Sequence, residues 1–169
     1  MYTIFNQLSP HSRIWIYQCD RKLSTEEVQE VSAIMQSFCE QWEAHGQPLQ
    51  TSFKIELNQF LIVAVDEGFN NASGCSIDGS VRILKNLQAE QGINFLDPSK
   101  IAFLVNGEVQ LHSRLELKEL FASGKLAAST ITFHNLVSSK SDFENQWKIP
   151  VEKSWMAKYI HTAPSQRFQ

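Results

Sequence analysis

Cysteine is scarce in this chain of 169 residues, with only Cys19, Cys39 and Cys75 present. They are odd in number, widely spaced and form no Cys-x-x-Cys pair, which excludes a zinc knuckle and a thioredoxin-type motif. Neither sign of charge dominates. Fifteen Lys and Arg against eighteen Asp and Glu leave a net −3, which excludes broad binding to a phosphate backbone. Long apolar runs are also missing: the longest unbroken aliphatic stretch, Leu61 to Val65, falls far short of the ~20 residues that span a bilayer. Met1 to Pro10 has no basic segment followed by an apolar run, so no secretory signal is expected. A cytoplasmic protein with reduced thiols is the simplest reading. Hydrophobic residues, at 43%, are too plentiful for a wholly disordered chain, and Gly and Pro are too few for a collagen-like one.

What is present is the material of one globular domain with room for an appendage. A chain of this size buries about 70% of its unfolded surface and needs no disulfide or metal staple. Residues 1–12 read as an N-terminal arm, because Pro10, His11 and Ser12 precede the first apolar run. Arg13 to Gln18 is rich in β-branched and aromatic residues and reads as a strand. Ser24 to Glu27 has the capping-box pattern. Val28, Val31, Met35, Phe38 and Trp42 then recur at helical spacing, and Gly46 and Pro48 follow, so a helix is expected over 25–44. Thr51 to Leu57 alternates apolar and polar; Asn58-Gln59 is a plausible turn, and Phe60 to Val65 follows as a strand. A loop over Asp66 to Gly74 leads into a helix over 76–91 that ends at Gly92. Asn106-Gly107 marks a hairpin, Ser113 to Glu116 is a second capping box, and Thr130 to Phe133 is a short strand.

Strand, helix, strand, strand, helix, strand is the order of a split βαβ arrangement. The expected class is therefore α+β, with a ferredoxin-like βαββαβ body over 13–105. A small C-terminal hairpin and helix module over 106–160 packs on its sheet, and 161–169 forms a flexible tail. The strands at 14–17 and 60–65 are apolar on both faces, so the second face of the sheet needs a cover. Either the C-terminal segment or a second copy of the chain, as a homodimer, would supply it.

Arg13 to Gln18, Ala72 to Asp78, Phe133 to Val137, and Trp147 followed by Pro150 and Ser154-Trp155 together resemble a family of small bacterial proteins often labelled "ABC transporter ATPase". The resemblance covers nearly the whole chain and implies no established activity. The label fails a physical test. No Gly-Lys-Ser/Thr is present to wrap phosphates and hold magnesium, Gly124-Lys125 is followed by Leu126, and Leu-Ser-Gly-Gly-Gln is absent. Residues 101–137 also resemble a GYF-type module of the second class, through Val105 to Glu108, Leu120 to Leu126 and Thr130 to Phe133. That resemblance implies protein contacts. The chain departs from it at Gln110-Leu111-His112, where Gly-Pro-aromatic is usual, and at Phe133, where Trp is usual.

The segment Asn70 to Ser80 joins a central strand to a helix, so Ser73, Gly74, Cys75, Ser76, Asp78 and Ser80 are candidates to hold a small anion. Cys75 at a helix start is the candidate nucleophile. The plainer alternative is that Ser73, Ser76 or Asp78 caps the helix and Cys75 packs. A nucleophile also needs a base; no His lies nearby in sequence, and His112 or His134 could supply one only through the fold. Asp66-Glu67 lacks further ligands at metal spacing and reads as a solvated pair, and no cofactor is implied. Trp147 and Trp155 lie among Lys148, Glu152, Lys153 and Lys158 and are candidates for a partner surface, whereas Trp15 and Trp42 read as core. The favoured function is non-catalytic binding of a protein partner or a small ligand. The alternative is an anion-binding protein or thiol enzyme centred on the Ser73–Ser80 turn.

Overall fold

The computed structural model describes residues 1–68, 72 and 74–160, without the side chains of 74–76. The expected tail over 161–169 lies outside the described residues. The fold is α+β, and among the described residues the pairings between strands are antiparallel. In chain order the elements are β1 (Arg13–Gln18), α1 (Thr25–Gln41), β2 (Glu43–Ala44), β3 (Gln47–Pro48), β4 (Gln50–Glu56), β5 (Phe60–Asp66) and α2 (Gly74–Gln91). Then come β6 (Lys100–Val105), β7 (Glu108–Ser113), α3 (Leu117–Ala122), β8 (Ile131–Phe133), α4 (Lys140–Gln146), β9 (Lys148–Pro150) and α5 (Ala157–Ile160). The chain divides into two compact units, 1–97 with 135–145, and 98–134 with 146–169.

In the first unit the sheet order is β1-β5-β4. Directly opposed residues share a face. Trp15, Val63 and Phe53 therefore stand on one side, while Ile14, Ala64 and Ser52 stand on the other. The first side joins Val31, Met35, Leu84 and Leu87 of the two helices in one core. Burying each such aliphatic side chain contributes about 1.5–3 kcal/mol.

α1 starts at the expected capping box. The Glu27 amide donates to Ser24 Oγ at 3.1 Å, and the Ser24 amide donates to Glu27 Oε2 at 2.8 Å. The helix ends at Gln41 rather than 44, because Trp42 takes an extended backbone and is buried. The chain then reverses through His45 and Gly46, both at positive φ, in a hairpin that pairs β2 with β3. The turn between β4 and β5 is one residue longer than expected: Leu57 and Asn58 have positive φ, and the Gln59 amide donates to Glu56 O at 3.0 Å.

The strand expected to complete this sheet, Ile101–Val105, does not belong to it. It pairs with β7 and β8 in the sheet of the second unit. The outer edge of β1, where such a strand would pair, is met by the returning segment of the first unit: the Ile14 amide donates to Ser138 O at 2.9 Å, and Arg13 bridges Ser139.

The second face of the sheet is buried within one chain, with Phe60, Ile62 and Ala64 fully covered. The first twelve residues, expected as an arm, contribute to this. Tyr2 bridges Thr51 beside β4, and Phe5, Leu8 and Ser12 are buried. The Phe5 ring lies 5.9 Å from Lys54 Nζ on that face and meets Phe143 edge-on at 5.9 Å.

In the second unit the sheet order is β7-β6-β8-β9. Asn106 and Gly107 adopt positive φ between β6 and β7, as the hairpin signal predicts. The Glu116 carboxylate accepts from the Ser113 amide at 2.6 Å and its hydroxyl at 2.8 Å, which anchors the second capping box. Phe103, Leu117, Phe121, Leu126, Val151 and Met156 form the core.

Candidate functional site

In the first unit, the outer surfaces of α1 and α2 enclose a groove of about 680 Å³. α1 supplies Ala33, Ile34, Ser37, Phe38 and Gln41, the residues that follow it supply Trp42 and Glu43, and α2 supplies Gly79 and Ile83. The groove exists because the apolar surface of α1 is wider than one stripe. Val31, Met35 and Cys39 point into the core, while Ile34 and Phe38 stand a quarter turn away and remain half-buried. Phe38 packs on Trp42 at 4.8 Å, and Trp42 reaches Trp15 at 6.4 Å, so the aromatic wall is braced from the sheet. Gly79 faces this wall without a side chain; a Cβ there would stand 3.9 Å from Phe38 Cε2. The walls are thus aromatic and aliphatic, with Ser37, Gln41 and Glu43 as the polar groups.

The turn singled out from sequence is only partly described. Ser73 lies outside the described residues, and so do the side chains of Gly74, Cys75 and Ser76. Asp78 is exposed on α2. Ser80 is buried, and its hydroxyl donates to Ile77 O at 2.7 Å. Burial pushes the Tyr17 phenol up, and a side-chain hydrogen bond with Ser80 opposes that shift. Ser80 therefore serves the packing of α2 on β1. The carboxylates at the end of β5 are engaged locally: Asp66 Oδ1 accepts from the Gly68 amide at 2.9 Å, and Glu67 lies 3.5 Å from Arg13.

The other two thiols are buried and free. Burial raises Cys19, and it pushes Cys39 up to about 11, so both are neutral and poor nucleophiles at pH 7. Among the described residues, no group of three or more His, Cys, Asp or Glu is placed to hold a metal ion. No described helix is long and apolar enough to cross a membrane.

No known family, curated protein or solved structure matches this chain.

In the second unit the two candidate tryptophans part company. Trp147 is only 3% exposed, packed on Phe133 at 4.8 Å, so it is not a surface residue. The His134 amide donates to Trp147 O at 2.6 Å, next to the strand pairing of β8 with β9 that carries Trp147 inward. Trp155 is 50% exposed. His112 packs against Phe103 at 6.0 Å, with Nε2 3.4 Å from Gln110 Oε1, while His134 is exposed.

Sequence reasoning missed the groove and one buried cation. The groove had a signal: Ile34 lies four residues before Phe38 and eight before Trp42, which sets a second apolar row beside the core stripe of the helix. Lys140 had none. It lies between two serines, yet it is 5% exposed and its ammonium donates to Leu8 O at 2.9 Å and Asn6 O at 3.3 Å.

Proposed function

We propose that this chain is a non-catalytic binding protein and that the groove between α1 and α2 seats its ligand, a compact apolar molecule. The groove carries this reading. Its volume of about 680 Å³ falls within the range usual for small-molecule sites, and its walls are apolar with a few polar groups to set orientation. The buried thiols of Cys19 and Cys39 favour binding over thiol chemistry at those positions; a cytoplasmic setting is our reading of the few, widely spaced cysteines of the sequence. We also relate the first unit to the ferredoxin-like arrangement. The order β1-β5-β4 with helices after β1 and β5 is what a split βαβ leaves when its last strand is placed elsewhere. The likeness to the small bacterial family adds no activity to this reading.

Titration of native protein with Nile red, a neutral apolar fluorophore, tests it. Saturable one-to-one binding is expected, and Ser37→Trp, at the exposed rim, abolishes that binding while the protein stays folded. Absence of saturable binding, or binding untouched by Ser37→Trp, contradicts the proposal. Thermal stabilisation by phosphate or nucleotides with no Nile red binding would favour the anion reading of the Ser73–Ser80 turn instead.

A further inference from the structure

The second unit exposes two large hydrophobic side chains among its described residues, Leu115 at 95% and Trp155 at 50%. Cations surround the indole. The Arg114 guanidinium lies 4.8 Å from the centre of the Trp155 ring, and Lys158 Nζ lies 5.6 Å from it. Lys158 also stands 5.5 Å from the Tyr159 ring. Trp155 is held from below: its ring meets Tyr159 edge-on at 6.3 Å, and Tyr159 stacks on Phe121 of the core at 6.0 Å. Among the described residues, neither Arg114 nor Lys158 forms an ion pair with a carboxylate. The nearest acid in sequence, Glu116, is already committed to the Ser113 amide and hydroxyl. A rigid aromatic flanked by open cations, one of them followed in sequence by an exposed leucine, has the composition of an interaction hot spot.

Charge selects the occupant. Residues 98–134 and 146–169 hold eight Lys and Arg against four Asp and Glu, a net +4, while residues 1–97 and 135–145 hold seven against fourteen, a net −7. The modest charge of the whole chain hides a basic unit. We propose that the Trp155 face of this unit docks an acidic peptide segment of a partner protein. Arg114 and Lys158 receive its carboxylates, and the exposed Trp155 and Leu115 offer apolar surface to its side chains. A single-stranded nucleic acid fits less well, because a base needs the indole face that Arg114 already occupies, and Leu115 offers a phosphate nothing. The surface shares no residue with the α1–α2 groove, so the two proposals stand or fall separately.

Fluorescence anisotropy with the full chain tests the proposal. The probe is a labelled peptide alternating Glu and Leu, compared with its Gln-for-Glu counterpart and with a thymidine oligonucleotide of similar length. The acidic peptide is expected to bind, more weakly as salt rises. Trp155→Ala, and separately the double variant Arg114→Gln with Lys158→Gln, are each expected to weaken binding about tenfold or more, the scale of a hot-spot loss. Circular dichroism verifies that each variant is folded, and Nile red binding in the groove stays unchanged. Equal binding of the Gln peptide, no binding of the acidic peptide at low salt, or retained affinity in the double variant overturns the proposal. So does tighter binding of the oligonucleotide. Sedimentation showing that this face instead joins two copies of the chain would overturn it as well.

Discussion

Lys140 is a charge in the interior of the first unit, and its surroundings explain why it is tolerated. Its ammonium donates to the carbonyls of Leu8 and Asn6 and lies 3.6 Å from Glu144, which is itself half-exposed. The two carbonyls matter more than the carboxylate, because a buried acceptor that loses its donor has no water to replace it. Lys140→Ala should therefore lower the unfolding free energy in urea by about 2–4 kcal/mol, whereas Glu144→Gln should cost less than about 1 kcal/mol. Equal effects would contradict this account. Glu27 gives a pH-dependent counterpart at the start of α1. Hydrogen bonds from Arg21, then from the Ser24 amide, hold its carboxyl at about 2, below the ordinary 4.5. A lowered folded-state value means stabilisation that is complete above 4.5 and lost as pH falls through about 2. Glu27→Gln should cost about 1 kcal/mol at neutral pH, with the difference from the parent shrinking across that acid window. A difference that stays constant through the window would contradict the assignment.

The elements divide by how local their causes are. The capping boxes at Ser24 and Ser113 and the Asn106-Gly107 turn were legible because each is written within four residues. The sheet membership of β6 was not, because partner choice is settled by Ser138 and Ser139 at the edge of β1 and by β7 and β8, all remote or competing in sequence. β9 is three residues long and exists through its pairing with β8, so it carries no pattern of its own. α1 ends early for a similar reason: Trp42 continues the helical spacing but is drawn into the core with an extended backbone. Within α2, Gly79 lies in the helix interior and faces the groove, with room for a methyl group at ordinary contact distance. Gly79→Ala should raise stability by about 0.5–1 kcal/mol in chemical denaturation, through helix propensity and a less flexible unfolded chain. A destabilised variant would show that the groove wall is tighter than this geometry allows.

At the scale of the whole molecule, the sequence reads as one body followed by one module, whereas the compact units interleave along the chain. The first unit takes back residues 135–145 after the second has begun, and residues 1–12 belong to it as well. Linear reading cannot see such a return, because the apolar residues of 135–145 look local until Phe143 meets Phe5. The same limit applied to the candidate surface. Trp147 and Trp155 have similarly polar neighbours in sequence, and only pairing across β8 and β9 separates the buried one from the exposed one. The groove escaped notice because its walls come from two helices some forty residues apart. The most direct test of its role is two-dimensional amide NMR of the isotope-labelled full chain titrated with Nile red. The binding account predicts shifts concentrated at residues 33–43 and 79–83, saturating at one equivalent. Shifts scattered over the surface, or confined to the second unit, would contradict it.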